Sequence, residues 1–366
     1  MSIKNLILVL RFPLFYSIDL GPGKKEICAM KKKLTLTLFA LVSFLGVLLP
    51  CGPSWALTTV KVGLLKLSSS APVFIGLAKE FFEAEGIKVE PVWFKSAQPI
   101  AVATASGDID VGATGLTAGL YNAAAQGLKI AIVADKGREW PGYKLTALLV
   151  DTDQWKSGLR DLKDLKGKRV GITQMGSTFH YILGNLLEKK GMSLNEVKVV
   201  PLGSVAAMRD TVVSHQIEAA FLVQPHVAPL EKNQTAKVLL WVGDQLPYQI
   251  AAMFYGEKFQ KNRAVAVAFM KGYIRSCRAF YDQALTKKEG PGRQEILNII
   301  AKYTEETPEA VALALPYNDR NGELYAADIQ KQLDWYYRQG LVSKKMSASE
   351  LVDLTYWKEA MQALGK

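Results

Sequence analysis

Apolar and polar positions along the chain switch between a period of two residues and one of about 3.6, and each switch marks an element. Residues 60–65 read as a strand and 72–82 as a helix opened by Pro72. Residues 87–94 alternate as a strand, and 97–106 read as a short helix. A third strand follows the Gly107-Asp108-Ile109-Asp110 turn; 116–126 is helical, Gly127 stops it, and 129–134 is a fourth strand. The clearest switch lies at 166–190. Arg169 to Ile172 is a short buried strand entered through Lys166-Gly167-Lys168, and Gly176-Ser177-Thr178 then breaks the pattern. Ser177 or Thr178 suits the N-cap of a helix whose apolar positions Tyr181, Ile182, Leu186 and Leu187 recur at helical spacing, with a basic end and stop at Lys189-Lys190-Gly191. Such a strand–turn–helix aims backbone N–H groups and the positive end of the helix dipole beyond the strand, which suits an oxygen-rich or anionic group. It is not a P-loop, because no lysine follows the glycine turn where that motif needs one.

The same order recurs after residue 168: strand 169–172, helix 178–190, strand 197–200, helix 205–214, then strands 219–223 and 237–242. Asp108-Ile109-Asp110 matches Gln216-Ile217-Glu218 and Lys129-Ile130-Ala131-Ile132 matches Lys237-Val238-Leu239-Leu240, both at an offset of 108 (216 − 108 and 237 − 129). At that offset Ser69-Ser70 falls on Ser177-Thr178. The recurrence predicts an α/β fold of two lobes, each a mostly parallel sheet flanked by helices. Lobe 1 is expected over 57–147 and 248–366, and lobe 2 over 148–247. Segments 145–150 and 249–254 are expected to be paired hinge strands, and helices at 265–284, 294–303, 308–314, 326–339 and 348–363 to return to lobe 1.

The N-terminus changes what counts as the folded chain. Met30-Lys31-Lys32-Lys33, an apolar run from Leu34 to Leu49, and Ser54 and Ala56 at the −3 and −1 positions read as an export signal cleaved after Ala56. The run is shorter than the roughly 20 residues of a membrane span. Pro50 stands where a lipoprotein signal around Cys51 wants a small residue, and Met30 reads as the translation start. Without residues 1–56 the formal charge of +11 (45 − 34) becomes +6 (38 − 32). That excess is scattered, unlike a nucleic-acid surface. One cysteine then remains, Cys277, so no internal disulfide is expected, and its apolar surroundings read as core.

In open α/β sheets ligands bind beyond the carboxyl ends of the strands. Facing lobes would set the Ser69-Ser70 turn against Gly176-Ser177-Thr178, with Ser96, Thr114, Gly115, Lys136 and Gln224 at the remaining strand ends. Lys136 and Arg138 can meet a ligand's negative charge there. Phe179 and Trp140 can wall the pocket, and Trp93 reads as core. His180, His215 and His226 are too dispersed for a metal signature, and His215 replaces the glycine of the Gly107 turn. No Ser-His-Asp order assembles.

These features together resemble one family, the substrate-binding proteins of nitrate/sulfonate/taurine-type ABC importers. The resemblance spans nearly all of 60–360. It is carried by strand-Ser68-Ser69-Ser70-Ala71-Pro72, by Ala103-Thr104-Ala105-Ser106-Gly107-Asp108-Ile109-Asp110-Val111-Gly112, by 159–171 (Leu-Arg-Asp-Leu-Lys-Asp-Leu-Lys-Gly-Lys-Arg-Val-Gly) and by Gly176-Ser177-Thr178. It implies the type II periplasmic-binding-protein fold and ligand contacts at Ser69, Ser70, Thr114, Gly115, Gly176, Ser177, Thr178 and Gln224. Many relatives carry an acidic residue where this chain has Gln224 before Pro225, so a neutral or anionic ligand is favoured. Thr114-Gly115-Leu116 departs from the proline-containing turn common at its site. The expectation is a periplasmic, monomeric, non-catalytic receptor that needs no cofactor or metal. It would hand a small sulfonate or carboxylate to a membrane permease driven by a cytoplasmic ATPase. The alternative is an enzyme on the same fold, like the thiamine-pyrimidine synthases or the menaquinone-pathway dehydratases. The synthases carry a cysteine-rich motif that this chain lacks.

Overall fold

The computed structural model describes residues 57–313 and 315–365. The export signal and its cleavage after Ala56 lie outside them. The strands are β1 (Thr58–Leu64), β2 (Ile87–Trp93), β3 (Val111–Gly115), β4 (Ile130–Glu139), β5 (Thr146–Asp151), β6 (Arg169–Ile172), β7 (Lys198–Pro201), β8 (Ala219–Val223), β9 (Ala236–Trp241) and β10 (Tyr248–Gly256). The helices of eight residues or more are α1 (Ala71–Ala78), α2 (Ala97–Ser106), α3 (Ala118–Ala125), α4 (Thr178–Glu188), α5 (Val205–Val213), α6 (Arg263–Phe280), α7 (Pro291–Thr304), α8 (Ala326–Arg338) and α9 (Thr355–Leu364). None of the described helices is long and apolar enough to cross a membrane.

Two five-stranded sheets form, in the orders β2-β1-β3-β10-β4 and β7-β6-β8-β5-β9. In each, the first three strands are parallel, and a strand arriving from the other half of the chain runs antiparallel between the third and the last. The two orders are one topology, and the internal repeat has a physical basis. The Lys61 N–H donates to Asp110 Oδ2 at 2.8 Å, and 108 residues on the Arg169 N–H donates to Glu218 Oε2 at 2.9 Å. The Phe94 N–H bonds the Leu64 carbonyl as the Leu202 N–H bonds that of Ile172. At the turn where lobe 1 has Gly107 at φ 82°, lobe 2 holds His215 at φ 56°, its ring paired with Asp151.

The crossovers differ from expectation. β5 and β10 do not pair with each other; each is built into a different sheet, because two-face burial gives more than a two-stranded ribbon can. The chain crosses at 140–145 and 242–247, and these segments touch. The Gly142 N–H donates to Asp244 Oδ1 at 2.9 Å, and a Cβ on Gly243 would lie 2.5 Å from the Trp140 carbonyl oxygen. β4 also runs five residues past its expected end, through Asp135, Lys136 and Arg138 to Glu139, all buried.

One apolar core lies against the first sheet under α1, α6 and α9, with Cys277 buried in it. A second joins α7 to α1. The largest runs through both lobes and includes Trp335 and Tyr336 of α8. The C-terminal helices therefore do not serve lobe 1 alone. α8 is tied to β10 through Gln332, whose Nε2 donates to the Gln249 carbonyl at 2.7 Å, while Trp335 Nε1 donates to Glu188 of α4 at 3.1 Å. The Tyr336 hydroxyl reaches the Leu116 carbonyl at 3.3 Å and the Ser177 carbonyl at 3.2 Å, one from each lobe.

Candidate functional site

The carboxyl ends of β1, β3, β6 and β8 meet between the lobes around a cavity of about 50 Å³. At roughly 10–15 Å³ per water it holds a few waters, so the cleft is nearly shut. Seven of the residues singled out in the sequence line it: Ser69, Ser96, Thr114, Gly115, Lys136, Thr178 and Phe179. The rest of the wall is mainly apolar, made of Leu65, Leu67, Ala97, Leu145, Val205, Val223, Ile250 and Ala251, with Thr173.

Each wall has a local cause. Ser177 Oγ accepts from the His180 N–H at 3.3 Å and starts α4, placing the buried Thr178 and Phe179 in its first turn, where N–H groups have no acceptor within the helix. Phe179 stacks on Phe221 with ring centroids 6.1 Å apart, so it both packs and lines. Ser96 starts α2, and its hydroxyl accepts from Gln174 Nε2 across the cleft at 3.3 Å. Thr114 lies one residue before the end of β3, with its buried hydroxyl unpartnered. Gly115 allows the lobes to meet: a Cβ there would lie 2.7 Å from Thr178 Cγ2. The Ala118 N–H donates to the Gly176 carbonyl at 2.9 Å, a second contact across the cleft.

Four more of the expected contacts, Ser70, Gly176, Ser177 and Gln224, make hydrogen bonds within the protein. Ser70 Oγ donates to the Leu65 carbonyl at 2.9 Å. The Gly176 N–H donates to His180 Nδ1 at 3.1 Å, and Ser177 caps its helix. Gln224 binds the Leu145 carbonyl through its N–H, and its Oε1 accepts from the Ala228 N–H. None of the four lines the cavity. Arg138 also turns elsewhere, its guanidinium lying against the rings of Trp140, Tyr317 and Tyr325 and bonding the Glu323 carbonyl. Trp93 is 40% exposed, not core, and lies beside Lys66 and Phe74. Sequence reasoning missed the aliphatic wall, because Leu65, Val205, Val223 and Ile250 carry the same pattern as core residues. It also missed Gln249, which joins β10 to Asp135 and α8.

Lys136 dominates the electrostatics. It is 1% exposed, and it alone among the lining residues carries a titratable group. Its Nζ donates to Ser69 Oγ at 3.2 Å. Burial drives its pKa down to about 7, with Asp135 opposing the shift. Asp135 itself is raised by burial, against Arg138 and three hydrogen bonds that favour its charge. His180 is held down to about 4 by burial, which keeps it neutral as the acceptor for Gly176. Away from the cleft, Asp151, Asp153 and His215 offer ligand atoms within 4.8 Å of one another, a proximity the dispersed histidines did not foretell.

Comparison with known proteins agrees with this architecture. The model of the NMT1-like family matches residues 55–290. A Bacillus subtilis (strain 168) protein described as an aliphatic sulfonates-binding protein is 24% identical over 339 residues, 89% of this chain and 96% of its own. Among solved structures, the alkanesulfonate-binding protein SsuA of Xanthomonas axonopodis pv. citri, bound to MOPS, superposes with a TM-score of 0.66 at 22% identity, covering 81% of this chain and 98% of its own. The periplasmic nitrate-binding protein NrtA of Synechocystis PCC 6803 superposes with a TM-score of 0.66 at 15% identity, covering 84% and 89%. Built as two lobes of one repeated topology around a shared cleft, the chain belongs to the NMT1-like family and has the fold of ABC-type substrate-binding proteins.

Proposed function

We propose that the protein is the extracytoplasmic solute-binding component of an ABC importer. It closes on a small oxyanion-bearing organic solute, a sulfonate or a carboxylate, and delivers it to a membrane permease. The observation that carries this reading is Lys136, a buried cation facing an otherwise uncharged, largely aliphatic cavity between two lobes. An anionic head suits the lysine, the hydroxyls of Ser69, Ser96, Thr114 and Thr178 and the N-terminus of α4; a short apolar body suits the rest. Among the described residues, no carboxylate lines the cavity to receive an ammonium. The names of the similar proteins, sulfonate-binding and nitrate-binding, support an anion and a location outside the cytoplasm. Lobe 1 would be built on the first sheet and lobe 2 on the second, moving about the touching crossovers at 140–145 and 242–247, with the protein a monomer.

An enzyme on this fold would need a nucleophile beside its base, and Lys136 Nζ and Ser69 Oγ at 3.2 Å are groups of that kind, so recovery of the solute unchanged is what separates a receptor from an enzyme. A thermal-shift screen against alkanesulfonates, taurine, aromatic and aliphatic carboxylates, nitrate and thiamine precursors tests the proposal. A bound solute at a hundredfold excess over Kd stabilises by about 2.7 kcal/mol. A shift from an anion recovered unchanged supports a receptor; a shift from cationic thiamine precursors alone overturns the anion.

A further inference from the structure

Successive side chains of a strand point to opposite faces, and β4 uses this to separate two buried charges. Asp135 turns away from the cleft, its carboxylate accepting from Gln249 Nε2 at 2.5 Å, the Asp319 N–H at 2.7 Å and the Gly137 N–H at 2.9 Å. Lys136 turns into the cavity, where its Nζ has Ser69 Oγ at 3.2 Å and, among the described residues, no carboxylate within 4 Å. Among the described residues, the elements packed against it present no other titratable group to the cavity: Ser69 precedes α1, Ser96 precedes α2, Thr114 lies next to the end of β3, Thr178 and Phe179 start α4, and Ile250 comes from β10. Among the described residues, Asp135, on its own strand, is the charge that acts on it. Asp135 offsets only part of the cost of burying an ammonium, so without an anion the lysine releases its proton readily, with a midpoint of about 7. An anion a few ångströms from Nζ reverses that balance.

We infer that solute capture is coupled to proton uptake: the cleft takes in an anion together with one proton from solvent, and Lys136 Nζ holds that proton. The inference rests on the reading of the solute as an anion. The buried pair is then neutral overall, and the lysine selects against neutral isosteres of the same shape. Linkage fixes the consequence. If the midpoint moves from about 7 to roughly 9 on binding, affinity falls about fiftyfold between pH 6 and pH 9, and binding at pH 8 takes up about 0.8 proton per site.

The test follows Lys136 directly. In the purified protein labelled with 13C-lysine, the Cε resonance of Lys136 is identified by its loss in Lys136→Arg. It is titrated from pH 5 to 10 alone and with saturating nitrate, ethanesulfonate or benzoate. Calorimetry at pH 8 in two buffers of different ionisation enthalpy counts the protons. The expected result is a free midpoint near 7, a midpoint near 9 or above with a bound probe, and net proton uptake. Lys136→Met, with its fold checked by circular dichroism, should bind the probe more weakly and with a flat pH profile. A free midpoint near 10 overturns the inference, as does a midpoint that a bound probe leaves in place. If none of the three probes raises the melting temperature, the anion receptor itself fails and the coupling with it. A probe that binds without moving Lys136 sinks the coupling alone.

Discussion

Replacing Glu139 by glutamine should remove a pH dependence from the crossover region. Glu139 ends β4, opposite Tyr248 in the β10 register, where the chain leaves one sheet for the other. Its carboxyl is fully buried beside Thr146 and the Gly243 N–H, yet neither oxygen makes a hydrogen bond of good geometry. The hydroxyls of Thr146 and Tyr248 are also unpartnered. Burial raises the acid to about 8, helped by the charge of Asp244. A raised pKa means that the folded state holds its proton longer than the unfolded one. The contribution is complete below the unfolded value near 4.5 and is lost as pH rises through 8. Between pH 5 and pH 8 the linkage relation gives a loss of about 3.5 kcal/mol. Glu139→Gln keeps the shape of the protonated acid and cannot ionise. The assay is urea unfolding of both proteins at pH 5, 6, 7 and 8, taking the difference between them so that other titrating groups cancel. The stability of the wild type relative to the variant should fall by a few kcal/mol across that range. A constant difference would refute the argument, because it would mean that Glu139 is already ionised and solvated at pH 5.

Three further outcomes follow from the geometry. Gly115→Ala sets a methyl 2.7 Å from Thr178 Cγ2 and should wedge the lobes apart. Calorimetry should then show roughly tenfold weaker solute binding, about 1.4 kcal/mol, with the melting temperature little changed. Ser177→Ala should cost about 1 kcal/mol of stability, since its hydroxyl caps α4, whereas Thr178→Ala should lower affinity at unchanged stability. Urea titration and calorimetry on the two variants separate these effects, and an exchange of roles would contradict the placement. His180 and His226 are both depressed to about 4 by burial, with Arg209 adding to the shift at His226. Stability is therefore complete above pH 6.5 and lost as pH falls through 4, and an unfolding free energy for which these histidines make no difference from pH 7 to 3.5 would be inconsistent with their burial.

What the sequence conveyed was local chemistry. The helix over 97–106 and the strands over 169–172 and 219–223 are legible because turn residues or charges bound them sharply. The repeat is legible because equivalent main-chain bonds, such as those to Asp110 and Glu218, need acidic residues at one offset. The extension of β4 was hidden because Asp135-Lys136-Gly137-Arg138-Glu139 has the composition of a loop. Only the fold supplies Gln249, Ser69 and the Tyr317 ring as separate partners for those charges. The sheet that β5 or β10 joins is a non-local choice, and amphipathicity in α8 does not say that its apolar face straddles two lobes. The hydroxyl residues drew attention as a class, and the sequence could not separate Ser69, which lines the cleft, from Ser70, which binds the Leu65 carbonyl.

The central claim is that two lobes hold an anion against Lys136 without transforming it. Isothermal calorimetry of the protein and of Lys136→Met with the strongest anion from the thermal screen, followed by recovery and chromatography of the solute, tests it most directly. The account predicts one anion per chain, recovered unchanged, and a large loss of affinity in the variant. Equal affinity in Lys136→Met, or a new product in the recovered solute, would contradict it.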